Sequence, residues 1–268
     1  MKHLSSILWT GILLAACSAA PKKDAPAKKI TKINVDQILP DSTRWVNSDT
    51  VIYTPDGRLA QVDFIHFCYT DSSVVAQCDS TPPNVRSIRR CELVFKPGKP
   101  VTLRQNYYSA EGYDRGYSEG LVTSTDSLVT LELKHYMPEY AQHIVEYLNW
   151  RMNKEGLLTN YTNSYTMPDG TPVSSEGVYT YDPASKMTSQ NLTVLAFYMS
   201  PASVEDLVLM TGGYLPALAK DIPVKEEMGD AEQTYRSEVV PSFDEQGRCT
   251  GSKNYLNGKL SSTITVEY

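Results

Sequence analysis

The chain of 268 residues carries 31 acidic and 25 basic side chains, which gives it a net charge of −6. Five of its lysines lie between residues 22 and 32, so the remainder of the chain is more acidic still. A protein body with this charge repels phosphate backbones, and no basic stripe offsets the repulsion. Nucleic-acid binding is therefore excluded from the functions that we predict.

The first sixteen residues have the layout of an export signal. Lys2 supplies a positive start, residues 4–14 are mostly apolar, and the small residues Ala15 and Ala16 follow. The apolar run falls well short of the roughly 20 residues that a helix needs to span a bilayer. We predict that residues 1–16 are a signal peptide that is removed after export.

The sequence Leu14-Ala15-Ala16-Cys17 resembles the lipobox of bacterial lipoproteins, in which the cysteine thiol receives a diacylglycerol before cleavage. This resemblance implies that Cys17 is acylated, with chains such as palmitate, and that the lipid bilayer is a partner of the protein. Several buried acyl chains hold a protein at a membrane almost permanently. The alternative is an ordinary signal peptide with an incidental cysteine.

Residues 17–32 are predicted to form a lipidated, flexible tether, because they are rich in Ala, Pro and Lys and show no apolar period. Ser18 stands where an Asp signals inner-membrane retention in enterobacterial lipoproteins. The residues after it are Ala19-Ala20-Pro21-Lys22-Lys23 rather than the acidic residues of surface-exported lipoproteins. We therefore predict a lipid anchor in the outer membrane with the body facing the periplasm, and surface exposure as the alternative.

Residues 33–268 are predicted to form a single all-β domain. Cys91, Leu93 and Phe95 alternate with polar or exposed positions, and residues 260–268 repeat the pattern. Such alternation is typical of strands with one buried and one solvated face. His66 lies in one predicted strand of this kind, residues 62–69.

Turn sequences separate the alternating runs. Pro55-Asp56-Gly57, Asn153–Gly156 and Asp244–Gly247 have the composition of turns closed by a glycine, and Asn257-Gly258 is the preferred pair for a two-residue hairpin. Their spacing is irregular, which argues against a tandem repeat. Together they predict an antiparallel meander, rolled into a barrel-like or strongly curved sheet.

Two stretches depart from this pattern. Ser203 and Asp206 have capping spacing before an apolar run, which predicts one short helix near residues 202–211. Residues 138–152 fit either a helix that starts at proline or a strand that ends at the Asn153 turn. We favour the strand, because Leu148, Trp150 and Met152 alternate.

Four cysteines follow Cys17 in an exported chain, and such cysteines can pair. Cys68 and Cys78 lie symmetrically about Ser73, so a hairpin that turns there would place them opposite each other. We predict a Cys68–Cys78 disulfide, with Cys68–Cys91 as the alternative. Their spacing does not indicate a zinc site, and we predict no metal.

The sequence carries no nucleophile or phosphate-loop motif, and His66, His135 and His143 stand in no metal motif. We therefore predict no enzymatic activity, no catalytic residues and no cofactor. Tyrosine is abundant, with 18 Tyr against 5 Phe. Tyrosine rings can stack on sugars or line a ligand mouth, but they are also common on half-buried strands, and both interpretations stay open.

The lipobox, the hairpins "YTPDGRLAQV" and "MNKEGLLTNY", and the C-terminal third of the chain resemble a family of Bacteroidetes lipoproteins of unknown function. Residues 78–135 carry none of this resemblance. The family has a porin-like β fold, so the resemblance implies a rolled or barrel-like antiparallel sheet. It brings no activity or catalytic residues.

We predict a membrane-anchored, non-enzymatic module that binds a hydrophobic or glycan ligand or an envelope partner. The alternatives are a structural envelope component without a small ligand, an envelope hydrolase, and an integral outer-membrane barrel. The integral barrel is an alternative because Tyr268 follows apolar residues at every second position, and the terminal strand of outer-membrane barrels has the same pattern.

Overall fold

The structure, a computed structural model, describes residues 29–39, 41–78, 87–108, 114–138, 143–182, 194–195, 198, 203–215, 224–229 and 234–268. In that part of the chain, sixteen antiparallel strands form one closed barrel, in which the first strand pairs with the last. The predicted all-β fold, its antiparallel meander and its barrel-like curvature are confirmed.

Each strand pairs with the next one along the chain. The strands are β1 Lys32–Ile38, β2 Arg44–Tyr53, β3 Leu59–Val62, β4 Ile65–Thr70, β5 Ser73–Cys78, β6 Ser87–Val94, β7 Val101–Tyr108, β8 Asp114–Ser124, β9 Leu128–Tyr136, β10 Ile144–Met152, β11 Leu158–Thr166, β12 Pro172–Thr180, β13 Lys225–Gly229, β14 Thr234–Phe243, β15 Cys249–Leu256 and β16 Lys259–Glu267.

The predicted turn chemistry is present at the hairpins. Gly57 has φ +91°, and its N–H donates to the Thr54 carbonyl at 2.9 Å. Asn257 and Gly258 both have positive φ, 50° and 76°, as a two-residue turn of type I′ requires. These local sequences therefore set where the strands end.

The interpretation of residues 62–69 as one strand is wrong. The chain reverses between Val62 and Ile65, which pair with each other across a tight turn. Asp63 has φ +51° in this turn. Aspartate is one of the few residues that tolerate this conformation, so the turn needs neither glycine nor proline and carries no obvious sequence signal.

One helix, α1, spans Val204–Thr211 and confirms the helix predicted near residues 202–211. Its capping box is formed as expected: the Asp206 N–H donates to Ser203 Oγ at 3.2 Å, and the Ser203 N–H donates to Asp206 Oδ2 at 2.9 Å. Within the described ranges, no helical stretch has the length and apolar character of a membrane-spanning segment. Strand β10 settles residues 144–152 in favour of the predicted strand.

The two ends of the barrel differ. The start of β1, the end of β16 and the connection between β12 and β13 (residues 181–224) share one end, which we call the terminal end. The β3–β4, β9–β10 and β11–β12 turns share the opposite end, which we call the distal end. Ile30 is fully buried and β1 begins at Lys32, so the last residues of the predicted tether belong to the barrel.

Part of the β12–β13 connection lies in the lumen. Its described residues Leu195, Leu207 and Leu209 are fully buried in the same core as inward-facing strand residues. Helix α1 packs against β5 and β6, and a Cβ on Gly212 would lie only 2.5 Å from Leu93 Cδ2. An apolar interior of this kind buries surface that would otherwise face water, and it stabilises the closed sheet.

The connection also contacts the wall at β2. The Tyr198 hydroxyl donates to Asp49 Oδ2 on β2 at 2.8 Å. Burial, and then the charge of Asp49 beside it, raises the pKa of Asp63 in the β3–β4 turn to about 6. On the β2–β4 side, the inserted residues therefore occupy the lumen.

The outer wall is polar. Ion pairs join neighbouring strands on this face, among them Arg104–Glu119 at 3.1 Å and Arg236–Glu227 at 3.0 Å. Exposed apolar side chains such as Leu121 lie among charged residues, with Leu121 directly opposite Glu132 in the register. The described exterior thus carries charged side chains and ion pairs together with exposed apolar side chains, and the interior is largely apolar.

Candidate functional site

A pocket of about 380 Å³ opens at the distal end, on the lumen side of β9, β10 and β11. Its lining residues are His135, Met137, Ile144, Glu146, Asn163, Tyr165 and Met167. Small-molecule sites have volumes of roughly 300–1,000 Å³, so the pocket has room for a small ligand. It lies on the part of the lumen where polar side chains face inward.

The alternation of β10 shows how the sequence builds this pocket. Trp150 and Leu148 continue one inward-facing series into the core, and Glu146 and Ile144 are its next members towards the distal end. The register places Ile144 beside His135 on β9 and Glu146 beside Tyr165 on β11. A polar residue at an inward position therefore marks the change from core to pocket.

A hydrogen-bonded pair forms the pocket wall. His135 Nε2 lies 2.9 Å from Glu146 Oε2, and the two side chains are 14% and 18% exposed. On its other side, His135 Nδ1 lies 2.7 Å from Ser118 Oγ. Because both ring nitrogens have partners, the imidazole is fixed in orientation, and it holds the Glu146 carboxylate in turn.

The chain of hydrogen bonds continues into the core. Ser118 Oγ lies 3.1 Å from Tyr107 Oη, and the Tyr107 hydroxyl donates to Gln105 Oε1 at 2.7 Å. Ser118 has a single hydroxyl proton, which it donates either to Tyr107 or to His135 Nδ1. The His135 ring therefore links the Glu146 carboxylate at the pocket to a buried series of hydroxyl and amide groups.

A serine, a histidine and a carboxylate in contact suggest a hydrolytic triad. Ser118, however, is fully buried and does not line the pocket. A nucleophile must reach the carbon that it attacks, so this hydroxyl is placed to orient His135 rather than to meet a substrate.

Two carboxyl side chains of α1 lie deeper in the lumen, close enough to Glu146 for charges to interact. Burial, then the charge of Asp206 and more weakly that of Glu146, raises the pKa of Glu205 to about 7. Burial also raises the pKa of Asp206 to about 6, although its hydrogen bonds to Ser203 oppose the change.

A further carboxyl group faces the lumen from β13. Glu226 is 4% exposed, and its Oε1 atom has no hydrogen-bond partner. Burial is the main cause that raises its pKa to about 7, against the effect of a hydrogen bond from Tyr179. Burial likewise raises the pKa of Tyr179 far above its ordinary value, and the charge of Glu226 adds to this.

Several polar groups at the mouth remain available to a ligand. The second oxygen of Glu146 and the Tyr165 hydroxyl have no hydrogen-bond partner in the described part of the chain. Met137, Ile144 and Met167 provide apolar surface beside them. Asn163 lines both this pocket and a smaller polar groove of about 320 Å³, which lies where β13 ends at Gly229.

The residues singled out from the sequence lie elsewhere. Cys17 is outside the described residues. The Cys68–Cys78 disulfide and its Cys68–Cys91 alternative are not formed: Cys68, Cys78, Cys91 and Cys249 carry no disulfide. The β4–β5 hairpin turns at Asp71 and Ser72 rather than at Ser73, so Cys68 pairs with Val75. Cys68 consequently points outward and is exposed, while Cys78 and Cys91 point inward and are buried.

Sequence reasoning missed most of the pocket. From the sequence, His135 was noted only as standing in no metal motif, and Glu146, Asn163 and Tyr165 were not singled out. Their signal was present as polar residues at inward positions of β10 and β11. This signal can be recognised only when the strand register shows which positions face the lumen and which strands are neighbours.

No protein-family model matches the chain, and no curated protein does. Its structure is similar to that of a porin-like protein from Bacteroides vulgatus ATCC 8482, with 14% sequence identity, a TM-score of 0.65, and 89% of this chain aligned to 98% of that chain. It is also similar to a porin-like protein from Bacteroides uniformis ATCC 8492, with 10% identity, a TM-score of 0.50, and coverages of 89% and 96%. The chain therefore has the closed-barrel fold of these porin-like proteins.

Proposed function

We propose that this chain is an envelope lipoprotein whose barrel stands outside the bilayer and binds a small ligand, without chemistry, at its distal mouth. The observation that carries the proposal is the mouth pocket, walled by His135 and Glu146, above a lumen that the β12–β13 connection occupies. A filled lumen suits a binding site better than a channel. A hydrophobic molecule or a glycan fits the mixed lining of methionine, tyrosine, amide and carboxylate.

The outer wall supports a position outside the hydrocarbon core. A membrane barrel turns an apolar band about 25 Å tall towards lipid, and each Arg or Lys in the middle of that band costs about 2–4 kcal/mol. Here Arg104, Glu119, Glu132 and Lys134 project from the outer face of β7, β8 and β9. Buried apolar side chains of the same strands, such as Leu103 and Leu131, face inward.

The proposed anchor fits the same arrangement. If Cys17 is acylated, the tether joins the barrel where β1 begins, at the terminal end. The pocket opens at the opposite end, so it faces away from the anchoring membrane. Loss of labelling by an alkyne analogue of palmitate in Cys17→Ser is the expected result, and undiminished labelling would remove the anchor from the proposal.

The ligand pocket is tested with paired variants of adjacent residues. Ile144 lines the pocket, whereas Val145 points to the outer wall of the same strand. Ligand-observed NMR with a panel of monosaccharides and short amphiphiles should show binding that Ile144→Trp removes and Val145→Trp leaves. If no panel member binds the unmodified chain, or if both variants behave alike, the pocket is not a binding site.

A further inference from the structure

The lumen around the pocket has an imbalance of charge. Four carboxyl groups face it, those of Glu146, Glu205, Asp206 and Glu226. The lysines and arginines whose side chains the structure describes lie on the outer wall or in turns, except Lys29, which precedes β1 at the terminal end. Of the described groups in this region, His135 is the one basic side chain, and it contacts only one of the four carboxyl groups, that of Glu146.

Among the described residues of this region, buried acceptors without a partner outnumber such donors, of which Gln105 Nε2 is one. Glu205 Oε2, Glu226 Oε1 and Asn163 Oδ1 are buried without a hydrogen-bond partner. The whole Glu226 residue is only 4% exposed. An acceptor left in this state costs about 1–3 kcal/mol, so groups that bring hydrogen-bond donors and positive charge are favoured there.

A bare metal ion does not suit this arrangement. Among the described residues, no three His, Cys, Asp or Glu side chains lie close enough to share one ion. The carboxyl groups come from β10, α1 and β13 and are spread along the lumen. The positive charge must therefore be carried on a larger frame, for which Met137, Ile144 and Met167 offer apolar contact.

We propose that the mouth pocket binds a small organic cation, a molecule that carries a protonated amine on a sugar or short aliphatic frame. The ammonium group donates to the unpartnered oxygen of Glu146, the Tyr165 hydroxyl bonds to the frame, and the methionines cover its apolar face. His135 keeps the Glu146 carboxylate in place for this contact. The inference rests on the proposed function, because it names the ligand class of the same pocket.

Matched pairs of probes test the ligand class. Glucosamine and glucose share one frame, and hexylamine and hexanol share another, so each pair differs in the charged amine. Calorimetry with the chain from residue 17, carrying Cys17→Ser, should show each amine binding about 10–100-fold more tightly than its neutral partner, as a charge-assisted hydrogen bond predicts. Glu146→Gln should remove this preference. Glu132→Gln, on the outer wall, should keep it.

The unmodified chain provides a measurement that needs no variant: raising the ionic strength should weaken amine binding and leave neutral binding unchanged. Equal binding of amine and neutral probes, abolished by Ile144→Trp, would overturn the ligand class and leave the pocket as a binding site. Amine binding that survives Ile144→Trp would overturn the assignment to this pocket. No binding by any of the four probes would overturn both this inference and the sugar or short-amphiphile ligand of the proposed function.

Discussion

Glu205 lowers the stability of the barrel at neutral and alkaline pH, and its replacement by glutamine should restore that stability. Its pKa is raised from 4.5 to about 7, first by burial and then by Asp206. Since the folded state binds this proton more tightly than the unfolded chain, the stabilising contribution is complete below pH 4.5. It is lost as the pH rises to about 7. A pKa increase of one corresponds to about 1.4 kcal/mol, so the ionised Glu205 carboxyl lowers the free energy of unfolding by about 3 kcal/mol.

Other titratable groups lie around Glu205. They are Cys91 on β6, Tyr107 on β7, Glu146 on β10, Tyr161 on β11 and Asp206 on α1. Burial raises the pKa of the cysteine and the two tyrosines among them, so these three stay neutral over the same pH range. Asp206 and Glu226 also have raised pKa values, so the unmodified chain should lose stability steadily between about pH 4.5 and pH 8. The exposed Asp36, with a lowered pKa, acts in the opposite sense and only below pH 3.8.

The assay is urea unfolding at pH 4.5 and pH 8. Glu205→Gln should stabilise the chain by about 1–3 kcal/mol at pH 8 and by less than about 0.5 kcal/mol at pH 4.5. The outer-wall control Glu132→Gln should change neither value by more than about 0.5 kcal/mol. A Glu205→Gln effect that is destabilising at pH 8, or equal at both pH values, would show that the carboxylate is compensated by a cation and would refute the reasoning.

Three further predictions concern packing, register and the connection. Gly251→Ala should cost several kcal/mol in urea unfolding, because its Cβ would lie 2.1 Å from the Ile264 carbonyl oxygen. The control Gly170→Ala has nothing within 4 Å of its added Cβ and should cost only the backbone strain of about 1 kcal/mol. Equal losses for the two variants would contradict the β15–β16 geometry. Cys68 should react with a thiol reagent in the native state and Cys91 only after unfolding, and the reverse order would contradict the β4–β6 register. Leu207→Ala on α1 should cost about 2–5 kcal/mol in the same unfolding assay, because the side chain is fully buried in the barrel. A loss of stability below about 1 kcal/mol would show that α1 is not in the core.

Local sequence was sufficient for the parts of the fold that local physics determines. Gly57 and the Asn257-Gly258 pair reverse the chain because of their own backbone preferences, and Ser203 caps a helix through its own hydroxyl. The Asp63 turn escaped prediction, because an aspartate with positive φ looks like any other aspartate in a sequence.

The positions of Cys68 and of the pocket residues could not be predicted from the sequence for a different reason. A hairpin centre displaced from Ser73 to Asp71 and Ser72 moves Cys68 to the opposite face from Cys78. The pocket is set by the same register over three strands, because Glu146 meets His135 and Tyr165 only after β9, β10 and β11 are aligned. Helix α1 was predicted, but its position inside the lumen depends on the closure of the whole barrel.

The central proposal is that the closed barrel stands in water rather than in lipid. The most direct test is to prepare the chain from residue 17, with Cys17→Ser, in buffer without detergent. Its β-sheet content is then measured by circular dichroism, its size by light scattering, and its flotation with phospholipid vesicles. The account predicts a folded, monodisperse protein that stays in the aqueous fraction. Aggregation without detergent, with β structure gained only when vesicles or micelles are added, would contradict it.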